Sequence, residues 1–273
     1  MVFFMPPSPP SSVTEDAYEI IPGDPAAGLV ILADHATNRI PAEYDALGLP
    51  AEQLGRHIAY DIGIAWMTRR LAALTGAPAV LSRFSRLLID PNRGDDDPTL
   101  VMRLSDGAIV PGNARIGPEE REARIARFWR PYDEAIGRTV EASLASGTVP
   151  TILSLHSFTP VWRGRPRPWH CGVLWDRDPR LPHLLLAALG EDPALVVGDN
   201  EPYSGILKGD TMYRHATRRG LAHAILEVRQ DLIADQADAE AWAARVARIW
   251  DGLAGRAELH RIERHGSWSG PVE

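Results

Sequence analysis

Apolar residues in this chain fall into two patterns, short unbroken runs and longer stretches at helical spacing. The runs Leu29-Val30-Ile31-Leu32-Ala33 and Thr151-Ile152-Leu153-Ser154-Leu155 follow Gly28 and Pro150. Short aliphatic runs bounded in this way read as strands buried on both faces of a parallel sheet. Each leads into a histidine, His35 or His156, and a third run, Ala222-His223-Ala224-Ile225-Leu226-Glu227-Val228-Arg229, carries a carboxylate. Helical spacing of Ile64, Met67, Leu71 and Leu74, stopped by Gly76, predicts a helix from about Tyr60 to Leu74 with Asp61 in its first turn. Further helices are expected over 118–144, where Pro131 should kink or split the run, and over 181–189, 211–219 and 237–253. Additional strands are expected at 79–82, 86–89, 172–175, 195–197 and 224–228. Such alternation predicts an α/β fold, a single domain with a mixed, mostly parallel sheet and helices on both faces. Ligands of open α/β sheets bind beyond the strand ends, so two imidazoles and a carboxylate are expected at one crevice.

The chain has 273 residues, 45% of them hydrophobic. That length suits one large domain. The expected division is a flexible N-terminal arm over 1–20, the main domain over 21–257 and a polar C-terminal tail over 258–273 that frays. A formal net charge of −7 leaves no basic field for nucleic acid or an anionic membrane surface. Cys171 is the sole cysteine, which excludes an intramolecular disulfide and a Cys-based zinc site; in its apolar stretch it reads as an inert thiol. No apolar stretch approaches the ~20 residues of a membrane span. The N-terminus also lacks the charged and apolar regions of a signal peptide, so a cytoplasmic protein is expected.

A catalytic zinc takes three N or O ligands and leaves a position for water. His35 and His156 offer two, although a lone strand-end histidine is more often structural. Asp61 is a candidate third ligand or, more simply, a carboxylate favouring a helix N-terminus. Asn92-Arg93 can grip a carboxylate, because a guanidinium presents a planar fork that an amide supports; equally, Arg93 could neutralise Asp95, Asp96 and Asp97.

Several segments in order resemble the N-formylglutamate amidohydrolase family, from about residue 28 to 250. They are Asp34-His35-Ala36-Thr37-Asn38-Arg39-Ile40-Pro41, Tyr60-Asp61-Ile62-Gly63, Ser85-Arg86-Leu87-Leu88-Ile89-Asp90-Pro91-Asn92-Arg93, Ser154-Leu155-His156-Ser157-Phe158 and Ile225-Leu226-Glu227-Val228-Arg229. The loop from Gly198 to Gly205 and Tyr213-Arg214-His215 also resemble family segments. The resemblance implies a phosphorylase/hydrolase-like fold of the zinc exopeptidase and amidase type. It places His35 and His156 on the metal histidines and Glu227 on the carboxylate that handles the water proton. Zinc carboxypeptidases take a glutamate three positions after the first histidine, where this chain has Asn38. Cell-wall zinc amidases draw a carboxylate from the start of the next helix, so Asp61 is preferred here over Asn38 or Asp34. Arg86, Asn92, Arg93, Asn200 and His215 are the implied substrate-binding residues. The stretch Trp162, Arg163, Arg165, Arg167 and Trp169 is either a specificity flap or a solvated connection.

The expected function is therefore metal-dependent hydrolysis of the amide of an N-acyl amino acid such as N-formylglutamate, in amino-acid metabolism. One divalent ion, Zn2+, is the implied cofactor, and a small carboxylated amide is the substrate. The first motif departs from the Pro-His-Ser-Gly-like segment of N-formylglutamate enzymes, and Pro91 stands where leucine is common, marking a divergent member. Two alternatives accompany this reading: a non-catalytic binding protein for a carboxylated metabolite, and a peptidoglycan-type zinc amidase.

Overall fold

A computed structural model describes residues 17–272, so most of the expected N-terminal arm lies outside the described residues. Seven strands form the main sheet in the order β1 (Tyr18–Ile21), β3 (Ala79–Ser82), β2 (Leu29–Ala33), β6 (Thr151–Phe158), β11 (His223–Arg229), β9 (Cys171–Leu174) and β10 (Val197–Asp199). The central strands β3, β2, β6 and β11 pair in parallel, and β9 turns antiparallel to β11 while pairing in parallel with β10. Edge strand β1 pairs antiparallel with β3, so residues 18–20, expected in the arm, join the sheet instead. The mixed, mostly parallel α/β architecture is the one expected.

Strand alternation divides the core into two layers. Leu29, Ile31 and Ala33 of β2 point into the layer built with α2 (Ile64–Thr75), α5 (Arg180–Gly190) and α7 (Gln236–Leu253). Val30 and Leu32 point into the opposite layer, with Phe84, Leu87, Phe128 and the Tyr132 face of α4 (Arg130–Ala145). Short elements decorate this frame: α1 (Ala51–Leu54), α3 (Pro118–Arg124), α6 (Thr211–His215) and the hairpins β4–β5 (Leu104–Ser105, Ala108–Ile109) and β7–β8 (Val161–Trp162, Arg165–Pro166). Arg163 and Gly164, at φ 49° and 75°, make the two-residue turn of the second hairpin. The stretch expected as either a flap or a solvated connection is thus partly a hairpin.

Several boundaries differ from the sequence expectation for identifiable reasons. Asp61 lies before α2, because Gly63, at φ 85°, reverses the chain just ahead of the first helical residue. Residues 86–89 form a turn, in which Ser85 Oγ donates to the Ala59 carbonyl and accepts from Leu87 N–H. The expected interruption is a π-helical turn over Ile125–Trp129 just ahead of Pro131, between α3 and α4, and helical backbone continues through the proline. The 211–219 helix splits into α6 and a 3-10 turn closed by Gly220 at φ 70°.

The C-terminal tail packs against the domain. Leu259 is fully buried, and Arg180 holds the carbonyls of Glu258 and Arg261 at 3.2 and 2.7 Å while pairing with Asp178. Glu263 N–H meets the Gly220 carbonyl at 2.8 Å, so the tail's backbone is tied to the domain.

Candidate metal centre and cleft

Three parallel strands deliver the polar cluster. His35 follows β2 by two residues, while His156 on β6 and Glu227 on β11 are register partners. Along β6 the face that begins at Ile152 in the core continues through Ser154 to His156, and on β11 Ile225 is followed by Glu227 on the same side. The site therefore grows out of one apolar layer where that layer reaches the strand ends. Asp61 arrives from the turn before α2, its N–H bonded to the His35 carbonyl at 2.9 Å.

Nδ1 of His156 and Nδ1 of His35 lie 3.0 and 3.4 Å from Asp61 Oδ2, which also accepts from Ser157 N–H at 3.2 Å. One ligand atom from each of His35, Asp61 and His156 lies within 4.8 Å of the others, and all three residues are buried. Both imidazoles are gripped from behind: His35 Nε2 sits 2.8 Å from Asp90 Oδ1, and His156 Nε2 sits 3.1 Å from Asp34 Oδ2. A carboxylate on one ring nitrogen takes its proton bond and leaves the other nitrogen free to bind a cation. Asp34 is itself saturated, accepting from Tyr132 Oη, Thr211 Oγ1 and Ser154 Oγ as well as facing His156. Asn38 takes no part, because its amide donates to the Leu54 carbonyl at 2.8 Å.

Charge follows this geometry. Burial pushes the Asp61 carboxyl up, but the two imidazoles outweigh it and hold it below the usual carboxylate range. Burial likewise opposes ionisation of Asp90, and Arg86 with His35 keeps it ionised. Glu227 behaves in the opposite sense. Burial, reinforced by the Asp61 charge and opposed by His156, pushes its carboxyl up to about 7. Its Oε2 is buried with no hydrogen-bond partner among the described residues. An orphaned carboxylate oxygen beside two imidazoles and a second carboxylate is an expensive arrangement without a cation or a water to meet it. The donor set, two nitrogens and a carboxylate oxygen with the opposite ring nitrogens anchored, fits a divalent ion of the zinc type.

These groups lie along a cleft of about 280 Å³. Arg86, Asn92 and Arg93 also line it. Arg86 bridges Asp90 at 2.9 Å and Asp61 at 3.6 Å. Asn92 Oδ1 accepts from Thr211 N–H at 3.0 Å, tying the 90–93 turn to the start of α6. Of the implied substrate residues, Asn200 and His215 are not brought to the cleft lining. Asn200 Oδ1 instead accepts from Trp175 and Gly205 N–H, shaping its own loop, and His215 Nε2 is 2.6 Å from Asp133 Oδ1. Their residue types suited both roles, and only the fold separates them.

The sequence reading missed the contributions of Asp90, Tyr132, Thr211 and Asp210 and weighed Asp34 only as a ligand. The signal for Asp34 and Asp90 was present, since each is an acid embedded beside an apolar run. Trp162, placed by the β7–β8 hairpin, reaches the lining, as do Met102, Tyr203 and Leu207 from loops whose approach only the fold defines.

The N-formylglutamate amidohydrolase family model matches residues 27–234. Among solved structures, a gene product of Agrobacterium tumefaciens is similar over 91% of this chain and 98% of its own, at 31% identity and a TM-score of 0.83. N-formylglutamate amidohydrolase from Ralstonia eutropha JMP134 is similar over 87% and 99%, at 22% identity and a TM-score of 0.64, which is a likeness of fold. No protein with a curated description matches the chain.

Proposed function

The chain belongs to the N-formylglutamate amidohydrolase family, and from that premise we propose that it hydrolyses the amide of an N-acyl amino acid with a divalent metal held by His35, Asp61 and His156. The observation that carries this reading is the buried, unpartnered Oε2 of Glu227, the register partner of His156, on a cleft lined by the buried His/Asp/His cluster.

A divalent ion in such a set supplies a lowered water pKa and a polarised carbonyl. Glu227, with its carboxyl near 7, takes the proton of the attacking water and passes it to the departing amide nitrogen. Asp90 and Asp34 keep the imidazoles oriented so that their Nδ1 atoms face the cluster. Arg93, supported by Asn92, receives the substrate carboxylate and turns binding energy into positioning. Arg86, which bridges Asp90 and Asp61 and keeps a buried Nε without a partner among the described residues, lines the same cleft and offers a second grip on a substrate oxygen.

Elemental analysis of wild type beside His156→Ala tests the metal, with one equivalent expected in the first and little in the second. Glu227→Gln is expected to retain metal and fold while losing activity by several orders of magnitude. A wild type that neither carries nor accepts a divalent ion would overturn the metal-dependent reading.

A further inference from the structure

Tyr203 reaches the cleft lining from the loop between β10 and α6. Its ring is 41% exposed, but its phenol oxygen is turned to the buried side chain of Arg167. Nη1 of Arg167 donates to Tyr203 Oη at 2.9 Å, and the guanidinium stacks 4.8, 5.3 and 5.6 Å from the ring centres of Tyr203, Trp162 and Phe158. No carboxylate pairs with Arg167 among the described residues; its side chain bonds Tyr203 Oη and the Thr159 carbonyl. The cation is thus held by three rings, and its shortest bond is spent on the phenol.

A guanidinium can only donate, so Oη is the acceptor in this bond. The phenol's own proton is turned away from Arg167 and has no acceptor among the described residues. Two other hydroxyls of the lining differ: Ser157 donates to the Ile62 carbonyl and Thr159 to that of Val161. Ser105 and Ser204 line the cleft as well, but no cation directs either of them. A bond accepted from a charged donor also polarises the phenol and strengthens its O–H as a donor.

The charges that act on the phenol belong to the polar end of the cleft. Burial, reinforced by the charge of Glu227, pushes the phenol pKa up, against the bond from Arg167 and the charge of Arg86. Tyr203 therefore keeps its proton where Glu227, at about 7, exchanges its own. Arg86 in turn lies 3.6 Å from Asp61 and lines the cleft beside the His/Asp/His cluster.

We infer that Tyr203 is a catalytic residue whose phenol donates to the carbonyl oxygen of the scissile amide, with Arg167 as the positioning residue that aims it. The inference rests on the amidohydrolase reading for turnover, but the contact forms in any complex that presents an amide carbonyl to Tyr203. Negative charge grows on that oxygen as water adds to the carbonyl, so the bond strengthens toward the transition state. Tyr203 transfers no proton; Glu227 carries the one that moves.

The test uses N-formyl-L-glutamate and N-formyl-L-leucine. Hydrolysis is followed with protein loaded with Zn2+, and infrared spectra of both compounds, isotope-labelled at the formyl carbon, are recorded on metal-free protein. Tyr203→Phe is expected to lower kcat about 100-fold while KM and metal content stay near wild type. The bound carbonyl stretch should move to higher frequency in the same variant, because one hydrogen bond to the oxygen is lost. Arg167→Met is expected to lower kcat in the wild-type background and to cost at most about twofold more on top of Tyr203→Phe. A merely structural arginine would impose its full cost in both backgrounds, and that result would overturn the positioning role. An unchanged carbonyl frequency or kcat in Tyr203→Phe, a loss confined to KM, or failure of both compounds to bind would overturn the inference. A frequency shift without hydrolysis by the loaded wild type would uphold the contact and overturn the amidohydrolase reading instead.

Discussion

Oδ2 of Asp34 meets Nε2 of His156 at 3.1 Å, on the side of the imidazole opposite Asp61. Three further donors converge on the same carboxylate, so Asp34 is a fixed acceptor around which His156, Ser154, Thr211 and Tyr132 are set. Asp34→Asn would remove the charge and replace one of the two accepting oxygens with an amide donor facing donors. Metal affinity should fall by about 10–100-fold. Competition with a chromophoric chelator measures this; unchanged affinity in a folded variant would show that His156 needs no such support.

Stability should respond to pH through Asp210. This residue caps α6 by accepting from Tyr213 N–H at 2.7 Å, and burial pushes its carboxyl up to about 7, against the pull of that bond and of Arg214. The unfolded chain loses the same proton near 3.8. Between these values the native state binds a proton that the unfolded state has released, so the contribution of Asp210 falls as pH rises through the window and stays low above it. Asp210→Asn keeps a good cap and removes the charge. Relative to wild type, the variant should gain stability from pH 4 to 8, by up to about 4 kcal/mol. Urea denaturation of both proteins at the two pH values gives the difference directly, and a constant offset would contradict it.

Gly63 admits no side chain. At φ 85° it is in the left-handed region, and a Cβ there would lie 2.1 Å from the Ile233 carbonyl oxygen. Gly63→Ala should therefore destabilise the fold by at least about 2 kcal/mol. Since Asp61 sits two residues earlier, metal retention should fall with it. Denaturation midpoints and metal content of the same preparation test both effects; a wild-type midpoint would refute the steric argument.

Arg180 joins the tail to the domain. Its guanidinium pairs with buried Asp178 and donates to the carbonyls of Gly220, Glu258 and Arg261. Arg180→Ala leaves a buried carboxylate without its guanidinium and the carbonyls of Glu258 and Arg261 short of a donor, and should cost about 3–5 kcal/mol. Thermal unfolding measures the loss. Proteolysis within 258–272 should become faster in the variant, whereas a tail that stays protected would show that Leu259 alone holds it.

Much of the frame was legible because periodicity reports burial. The unbroken run at 29–33 and the helical spacing of Ile64, Met67 and Leu71 locate β2 and α2 from hydrophobicity alone. Residues 86–89 misled for the same reason. Leu87, Leu88 and Ile89 are fully buried, but in a turn wrapped around Ser85, and burial does not distinguish a turn from a strand. Edge strand β1 was missed because only one neighbour covers it, so its pattern is weakly apolar. In the candidate site, residues next to apolar runs, such as His35 and His156, stood out. Partners that arrive from distant segments did not: no local pattern links Tyr132 or Thr211 to Asp34, at separations of 98 and 177 positions.

The strand alternation that carries His156 and Glu227 into one face also sets what this molecule can change. A single-residue insertion within β6 ahead of His156 would turn the imidazole into the opposite apolar layer and bring a leucine to the His/Asp/His cluster. The hairpins β4–β5 and β7–β8 stand clear of the main sheet, and their lengths can vary without shifting that register. The polar cluster and the hairpins that reach the cleft are thus carried by separate parts of the chain, so the cleft's rim can change while the cluster's register stays in place.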